Sequence, residues 1–143
     1  MTSIATRAPF GGISAYDVAA TGGRLLLAAI FLLSGYSKLV DPAATIGYIQ
    51  SVGLPFAELG VAVAIVVELV GGALLVVGYK ARLAAAALAL FTIVAAVFFH
   101  PPGADQGQFI HFFKNVAITG GLLQVIALGA GRLSLEGRSQ PAR

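Results

Sequence analysis

The sequence predicts an all-α integral membrane protein, a bundle of four transmembrane helices with a short interfacial helix between helices 1 and 2. Of the 143 residues, 58% are hydrophobic and only 10% are charged, whereas soluble domains carry about 25% charged residues. About 20 apolar residues in a helix cross the roughly 30 Å hydrocarbon core of a bilayer. Four stretches reach or approach that length: 24–40, 56–77, 83–99 and 112–128.

The chain divides into three predicted parts. Residues 1–23 are polar, rich in small residues and without an apolar period, so we expect an N-terminal tail. Residues 24–135 contain the four-helix membrane domain, and residues 136–143 form a basic, solvated C-terminal tail. The apolar run that begins at Leu25 starts late and lacks a small-residue cleavage site. We therefore expect the first span to be retained rather than removed as a signal peptide.

A short helix is predicted directly after the first span. Asp41 followed by Pro42 is a typical helix start, with the aspartate as N-cap and the proline at the first helical position. Gly53 and Pro55 then end the segment. Because about ten residues cannot span a bilayer, we expect residues 42–52 to lie at the interface over the mouth of the bundle.

The basic residues predict an orientation. Seven of the nine fall on the side of the termini and the second loop, at positions 7, 24, 80, 82, 132, 138 and 143. Only Lys38 and Lys114 lie towards the other side. Loops rich in lysine and arginine stay in the cytoplasm. Both termini are therefore predicted to be cytoplasmic.

Composition also limits the chemistry. The chain has no cysteine, which excludes disulfides, thiolate nucleophiles, iron–sulfur clusters and cysteine-bound zinc. Any redox role then needs a bound cofactor or a partner protein. His100, His111 and Asp105 have no recognised ligand spacing, so we expect no metal site. The net charge of +3 is small and the bases are scattered, so nucleic acid is not an expected partner.

Glu68 is the most informative residue, because it lies in the middle of the second apolar stretch. A charged side chain at the centre of a bilayer costs roughly 2.5–3.5 kcal/mol on insertion scales. Ala64, Gly71 and Gly72 share its helical face and allow a neighbouring helix to approach closely. We therefore expect Glu68 to point inward and to have either a partner or a chemical role.

Polar residues on the four predicted spans fall in the half of the bundle away from the termini. We expect these candidates to line one outward-opening cavity beneath residues 42–52, which is where helix bundles place ligands. The candidate ligand-binding residues are Ser34, Lys38, His100, Lys114, Asn115 and Thr119, with Glu68 in proton exchange or an ion pair.

Structural explanations exist for each candidate. Lys38 can extend to the outer headgroups without binding a ligand. Glu68 can pair with Lys38 or Lys114, or with Asn115 and Thr119, only to join helices. His100 stands at a helix end, where it can serve as a cap. The sequence leaves these alternatives open, because no distance between helices follows from spacing along the chain.

From residue 24 to residue 135 the chain resembles the DoxX family of small four-helix bacterial membrane proteins. The matching segments, in order, are RLLLAAIFLLSGYSKLVDP, GLP, VELVGGALLVVGYKARLAAAAL, FFH and FFKNVAITGGLLQVIALGAGRLSL. The resemblance implies a multi-pass protein of the bacterial inner membrane. It also marks Lys38, Glu68, His100, Lys114 and Asn115 as the family's characteristic polar positions.

The resemblance further implies a redox connection. Some members of the family are subunits of thiosulfate:quinone oxidoreductases, and others are linked to membrane complexes that handle thiol and oxidative stress with soluble partners. The first functional hypothesis is thus a subunit of an oxidoreductase complex that binds a quinone or another small lipophilic ligand. If the protein takes part in catalysis, we expect it to do so as a quinone-linked subunit and not as a stand-alone enzyme. A protein partner would then carry the redox centres.

Two other classes of function fit the sequence. The chain can be a non-catalytic membrane scaffold or anchor, whose basic loops bind partner proteins or anionic lipids. It can also be a carrier of a small solute or lipid, although four helices without an evident inverted repeat are few for alternating access. A homo-oligomer would enlarge the cavity in that case.

Overall fold

The computed structural model describes residues 12–139, which form six α-helices. Four of them are long and apolar enough to cross a membrane, which confirms the predicted fold class. The helices are α1 (Ala15–Val40), α2 (Pro42–Ser51), α3 (Ala57–Val77), α4 (Ala81–Phe99), α5 (Gln106–Leu128) and α6 (Leu135–Ser139). We call the end of the bundle that carries α2 the α2 end, and the opposite one the terminal end.

The long helices pack in an uneven way. α1 packs mainly on α3, and α4 packs mainly on α5, with α3 and α4 joining the two pairs. The core between them is made of small and aliphatic side chains, among which Ala28, Leu75, Leu88 and Leu122 are fully buried. α1 and α5 touch only lightly. The bundle is therefore least tightly closed along the seam between α1 and α5.

The short α2 matches the helix predicted after the first span to within one residue. Asp41 is its N-cap and accepts a hydrogen bond from the Ala44 backbone N–H at 3.3 Å, with Pro42 as its first residue. The helix packs on α3 and α1 at the end of the bundle. Ile49 is buried against Val61 and Ala57 of α3, so a single apolar face fixes α2 in place.

Two helix starts differ from those predicted from the sequence. α1 begins at Ala15 rather than at residue 24, because Ser14 and Asp17 form a capping box at its start. The predicted tail at 1–23 is thus helical from Ala15, while residues 1–11 lie outside the described residues. α5 begins at Gln106 rather than at residue 112, since the Asp105 carboxylate caps it by accepting from the Gln108 N–H at 2.9 Å.

The C-terminal segment also differs from its prediction. It forms a turn of helix, α6, instead of a tail that begins at residue 136. The Glu136 N–H donates to the Gly78 carbonyl at 3.1 Å, and Ser134 is buried. The segment therefore folds back on the turn between α3 and α4. Residues 140–143 lie outside the described part of the chain.

Arg24 joins these parts at the terminal end. Its guanidinium donates to the carbonyls of Leu75 at 2.6 Å, Val76 at 3.0 Å and Leu133 at 3.0 Å. The first two carbonyls end α3 and have no partner within the helix, and the third belongs to the C-terminal segment. The side chain is buried. Arg24, which in the sequence stood out only as an orienting charge, thus also connects α1, α3 and the segment before α6.

Candidate functional site

Lys38 and Glu68 form an ion pair between α1 and α3. The Lys38 ammonium lies 2.9 Å from Glu68 Oε2 and 3.1 Å from Oε1, and it also donates to Ser34 Oγ at 2.7 Å. The Glu68 side chain is 5% exposed and that of Lys38 is 19% exposed. Of the partners left open for Glu68 by the sequence, the structure therefore selects Lys38. Ser34 lies one turn before Lys38, where it also contacts the ammonium.

Gly35 makes the close approach of α1 to α3 possible. A Cβ built at Gly35 would lie 2.9 Å from Leu69 Cγ and 3.1 Å from Glu68 Cβ, closer than nearly all real Cβ contacts. On α3, Gly71 and Gly72 make similar approaches to Leu88 and Leu32. The small residues predicted to surround Glu68 thus do pack against neighbouring helices, and Gly35 is the residue of this interface that sequence reasoning missed.

The ion pair lines a cavity of about 840 Å³ at the α2 end of the bundle. Most of its walls are aliphatic or aromatic side chains from α1, α3, α4 and α5. Five of the predicted polar residues line it together with Ser34: Lys38, Glu68, His100, Lys114 and Asn115. The structure thus brings these residues together around one cavity, with charge concentrated in a mostly apolar space.

α2 and the residues after it cover part of this cavity. Thr45, Tyr48 and Ile49 of α2 line it, as does Phe56 just before α3. The Tyr48 hydroxyl donates to the Phe99 carbonyl of α4 at 2.7 Å, and the two rings lie 5.5 Å apart. Phe56 is 77% exposed and adopts a left-handed backbone with φ of 56°, a conformation that a bulky residue rarely takes.

A chain of polar contacts crosses from α4 to α5 at the same end. His100 Nδ1 lies 2.7 Å from Gln108 Oε1, and the His100 ring stacks on that of His111 at 5.1 Å. His111 Nδ1 in turn lies 2.9 Å from Lys114 Nζ. Lys114 therefore pairs with His111 and not with Glu68. Gln108, to which sequence reasoning gave no role, belongs to this group, as does His111, which was left outside the predicted ligand-binding residues.

Asn115 and Thr119 differ in what they offer. Thr119 donates its hydroxyl to the Asn115 carbonyl within α5 at 2.9 Å and is not among the cavity residues. The Asn115 side-chain amide lines the cavity and has no hydrogen-bond partner among residues 12–139. The structure thus leaves Asn115 available to a ligand and places Thr119 outside the cavity wall.

Metal-ligating side chains are not gathered at this site. Within residues 12–139, no three histidine, cysteine, aspartate or glutamate side chains lie close enough together to hold one metal ion. The polar groups that line the cavity include the Lys38–Glu68 ion pair, the Ser34 hydroxyl, the Asn115 amide, the His100 imidazole and the Lys114 ammonium.

Comparison with known proteins agrees with this architecture. The DoxX family model matches residues 19–101. The chain is 31% identical to the inner membrane protein YqjF of Escherichia coli over 120 residues, which cover 84% of this chain and 91% of that protein. It is also 31% identical to the inner membrane protein YphA of the same organism, over 80% of this chain and 86% of that protein. No solved structure matches the chain at a significant level. Four spans, the family match and these relatives together show that the chain is an integral membrane protein that belongs to the DoxX family.

Proposed function

We propose that the protein is the quinone-binding membrane subunit of an oxidoreductase complex, and that the cavity at the α2 end is its quinone site. The observation that carries the proposal is the Lys38–Glu68 ion pair, which lines an apolar cavity of about 840 Å³. Ionisable side chains inside a membrane usually mark a ligand or proton pathway. An ion pair alone would be enough to join two helices, yet the cavity is also lined by Asn115 and His100.

The residues of the cavity fit a quinone in size and chemistry. Small-molecule sites measure about 300–1,000 Å³ and are mostly apolar with a few directed polar groups. A quinone ring is apolar and carries two carbonyl oxygens, which accept hydrogen bonds. The Asn115 amide can donate one of these bonds, since it has no partner among residues 12–139. Phe31, Phe91 and Ile118 supply apolar wall for the ring.

Each polar residue has a distinct task in this proposal. A bound quinone would supply two-electron, two-proton redox chemistry. Glu68 holds or releases a proton at its carboxylate, and Lys38, 2.9 Å away, offsets the carboxylate charge in the apolar cavity. Asn115 orients the ligand. His100 and His111, joined by ring stacking, provide exchangeable protons near the α2 end of the bundle.

The electrons must come from another protein, because the chain has no cysteine for a thiol or cluster route. The proposal therefore includes a partner subunit with the redox centres. We further propose that the complex lies in the bacterial inner membrane, where the two compared relatives are named as residing. In the orientation predicted from the basic residues, both termini are cytoplasmic and the α2 end faces outward.

Glu68→Gln tests the proposal, because it keeps the shape of the side chain and removes its proton exchange. We expect the variant to accumulate in the membrane and to reduce quinone in its native complex at least about 100-fold more slowly, the scale of a lost general acid–base group. The matched control is Glu58→Gln, which alters an exposed glutamate in the first turn of the same helix. Unchanged turnover in Glu68→Gln would remove Glu68 from the mechanism.

A non-catalytic scaffold is the second candidate, favoured by the fact that Lys38 and Glu68 join two helices directly. The double variant Lys38→Met, Glu68→Met separates the two functions. Replacing a buried ion pair by apolar residues of similar volume often leaves stability unchanged or higher. If the site binds a quinone, the double variant stays folded and loses copurifying quinone, as measured by mass spectrometry after mild extraction. Retained partner proteins and unchanged activity would favour the scaffold.

A further inference from the structure

A second cavity, a groove of about 570 Å³, runs along the seam between α1 and α5. Ile30 of α1 and Ile118 of α5 line both this groove and the cavity at the α2 end. The two spaces are therefore neighbours that share a wall, and the two isoleucines mark the junction between them. The seam is also where the bundle is least tightly closed.

We propose that the groove holds the hydrocarbon tail of the molecule whose polar head binds beside Lys38 and Glu68, so that the two spaces are one site for a long-chain lipophile. This inference rests on the quinone site proposed above and extends it to the tail. It assigns a length and a direction to the ligand: the head lies at the α2 end, and the tail runs past Ile30 and Ile118 towards the terminal end.

The lining of the groove suits a hydrocarbon chain. Its walls include Leu26, Leu27, Val125 and Leu128, which offer aliphatic contacts and no hydrogen bonds. Small residues on both helices, such as Gly121, create the space of the groove. Arg24 also borders the groove, but both of its terminal nitrogens already donate to the carbonyls of α3 and of Leu133. Tyr16 and Gln124 are the other polar side chains of the lining. Both lie nearer the terminal end than Ile30 and Ile118 do, so the wall is apolar where the two spaces meet.

The spacing along α1 sets the length of the tail. Lys38 and Ile30 are eight residues apart, or about 12 Å at 1.5 Å per residue, and Lys38 and Gly23 are about 22 Å apart. A ligand that occupies both spaces therefore needs a chain of roughly 20 Å beyond its head. A lipophile without such a tail would fill the cavity at the α2 end and leave the groove to membrane lipid.

The shared lining also favours a ligand tail over a helix of another protein. A transmembrane helix has a diameter of about 10–12 Å with its side chains, and it would cover the groove without entering the cavity at the α2 end. A flexible chain needs to pass only Ile30 and Ile118, which line both spaces. This shared lining is the observation that selects the occupant.

The test compares two probes on the purified full-length protein in lipid nanodiscs. One is a methoxylated benzoquinone without a tail, and the other is the same ring with a long isoprenoid chain. Ligand-induced thermal stabilisation gives the dissociation constant of each, expressed per lipid. We expect the wild-type protein to bind the long-chain probe more than ten-fold tighter than the tailless one.

Two variants place a leucine in the groove. Gly121→Leu blocks it near the junction, where a Cβ would lie 3.2 Å from a methyl group of Leu27. Gly23→Leu fills it nearer the terminal end, where no atom lies within 4 Å of a Cβ, so that this variant folds even where the first does not. We expect both to lose the ten-fold advantage of the long chain and to bind the tailless probe as the wild type does.

Adjacent glycines provide the controls. Gly120→Leu and Gly22→Leu add the same side chain next to the two test positions, at sites that do not line the groove and have no atom within 4 Å of a Cβ. They should keep the advantage of the long chain. If Gly121→Leu and Gly23→Leu also keep it, or if the wild type binds both probes equally, the tail assignment is overturned and the quinone site stands. If neither probe binds the wild type, the quinone site itself is overturned.

Discussion

Lys38 uses its ammonium protons on two neighbours, the Ser34 hydroxyl one helical turn away and the Glu68 carboxylate on α3. Both charges are thus held within the bundle, although each would be costly alone in a membrane. A ligand that takes a hydrogen bond from Lys38 must displace one of these contacts. The Asn115 side chain can donate a hydrogen bond without giving up an existing one. We therefore expect its amide to be the first group to bind a carbonyl oxygen of the ligand.

Gly35→Ala should weaken the interface that carries this pair. The new methyl group would meet Leu69 and Glu68 at 2.9–3.1 Å, and overpacking of this kind costs about 1–3 kcal/mol. We expect a lower melting temperature in detergent and a loss of bound ligand. The control is Gly120→Ala on α5, which has open space around its Cβ and should gain stability, because alanine is the better helix former by about 1 kcal/mol. A stable Gly35→Ala would show that α1 and α3 adjust freely.

The sequence indicated most of the site but not its connections. A glutamate amid small residues predicts an inward-facing charge, and Lys38 and Lys114 were its possible basic partners. Helical spacing fixes which face a residue occupies on its own helix, while the distance between faces on different helices depends on packing. For that reason only the structure shows that Lys38 meets Glu68 and that Lys114 meets His111.

At the scale of helices, Arg24 is the side chain that holds the terminal end together. Three carbonyls from α3 and the C-terminal segment accept its hydrogen bonds. Gly78, in the left-handed conformation that ends α3, packs directly against its guanidinium and against Ser134. A glycine is required there both for the backbone conformation and for the close approach of Arg24.

Arg24→Ala should therefore destabilise the protein strongly. Hydrogen bonds to charged groups contribute about 1.5–3 kcal/mol each, and unpaired carbonyls are left behind, so we expect a loss of at least about 3 kcal/mol. Limited proteolysis should then cleave the chain after α5 faster than in the wild type. The control is Arg132→Ala. The Arg132 side chain is exposed and lies 3.8 Å from the buried Asp17 carboxylate, which keeps its hydrogen bonds from Ser14 without Arg132. We therefore expect a cost of about 0.2–1 kcal/mol, as for pairs with an exposed partner. Equal effects of the two substitutions would contradict the connecting role of Arg24.

Hydropathy predicted the existence and the order of the four spans, but it placed the first residue of two of them too late in the sequence. The first turns of α1 and α5 are polar, so an apolar period does not reveal them. Their signals are caps instead: Ser14 with Asp17 before α1, and Asp105 before α5. Reading both ends of each span for N-cap residues would have moved the two predicted starts close to the observed ones.

Across the whole molecule, charge is distributed unevenly between the two ends. Lys80, Arg82, Arg132 and Arg138 are exposed or partly exposed at the terminal end. At the α2 end, Lys38 is engaged with Glu68, and Lys114 lies beside His111. Most of the accessible positive charge is therefore at the terminal end, and from this distribution we predict that the terminal end faces the cytoplasm.

A reporter fused after Arg143 tests this orientation. We expect a fluorescent protein that matures only in the cytoplasm to be bright, and a periplasmic phosphatase at the same position to be inactive. The opposite pair of results would show that the orientation is inverted and that the cavity lies at the cytoplasmic face. As a control, the same reporters inserted in the loop between α4 and α5, after Gly103, should give the reverse pattern, since that loop lies at the α2 end.

The loosely closed seam between α1 and α5 affects which ligand concentration sets the occupancy of the groove. α5 is the least buried of the four spans, and the groove beside it is bordered by exposed Leu26 and Leu128. A lipophile dissolved in the bilayer reaches this seam by lateral diffusion and never needs to enter water. Its occupancy then follows its mole fraction among the lipids rather than its aqueous concentration. If the groove binds the proposed tail, a site of modest affinity would remain occupied in a membrane rich in that lipophile. It would lose the lipophile as detergent dilutes the lipids, so the copurification test needs an extraction that keeps native lipid around the protein.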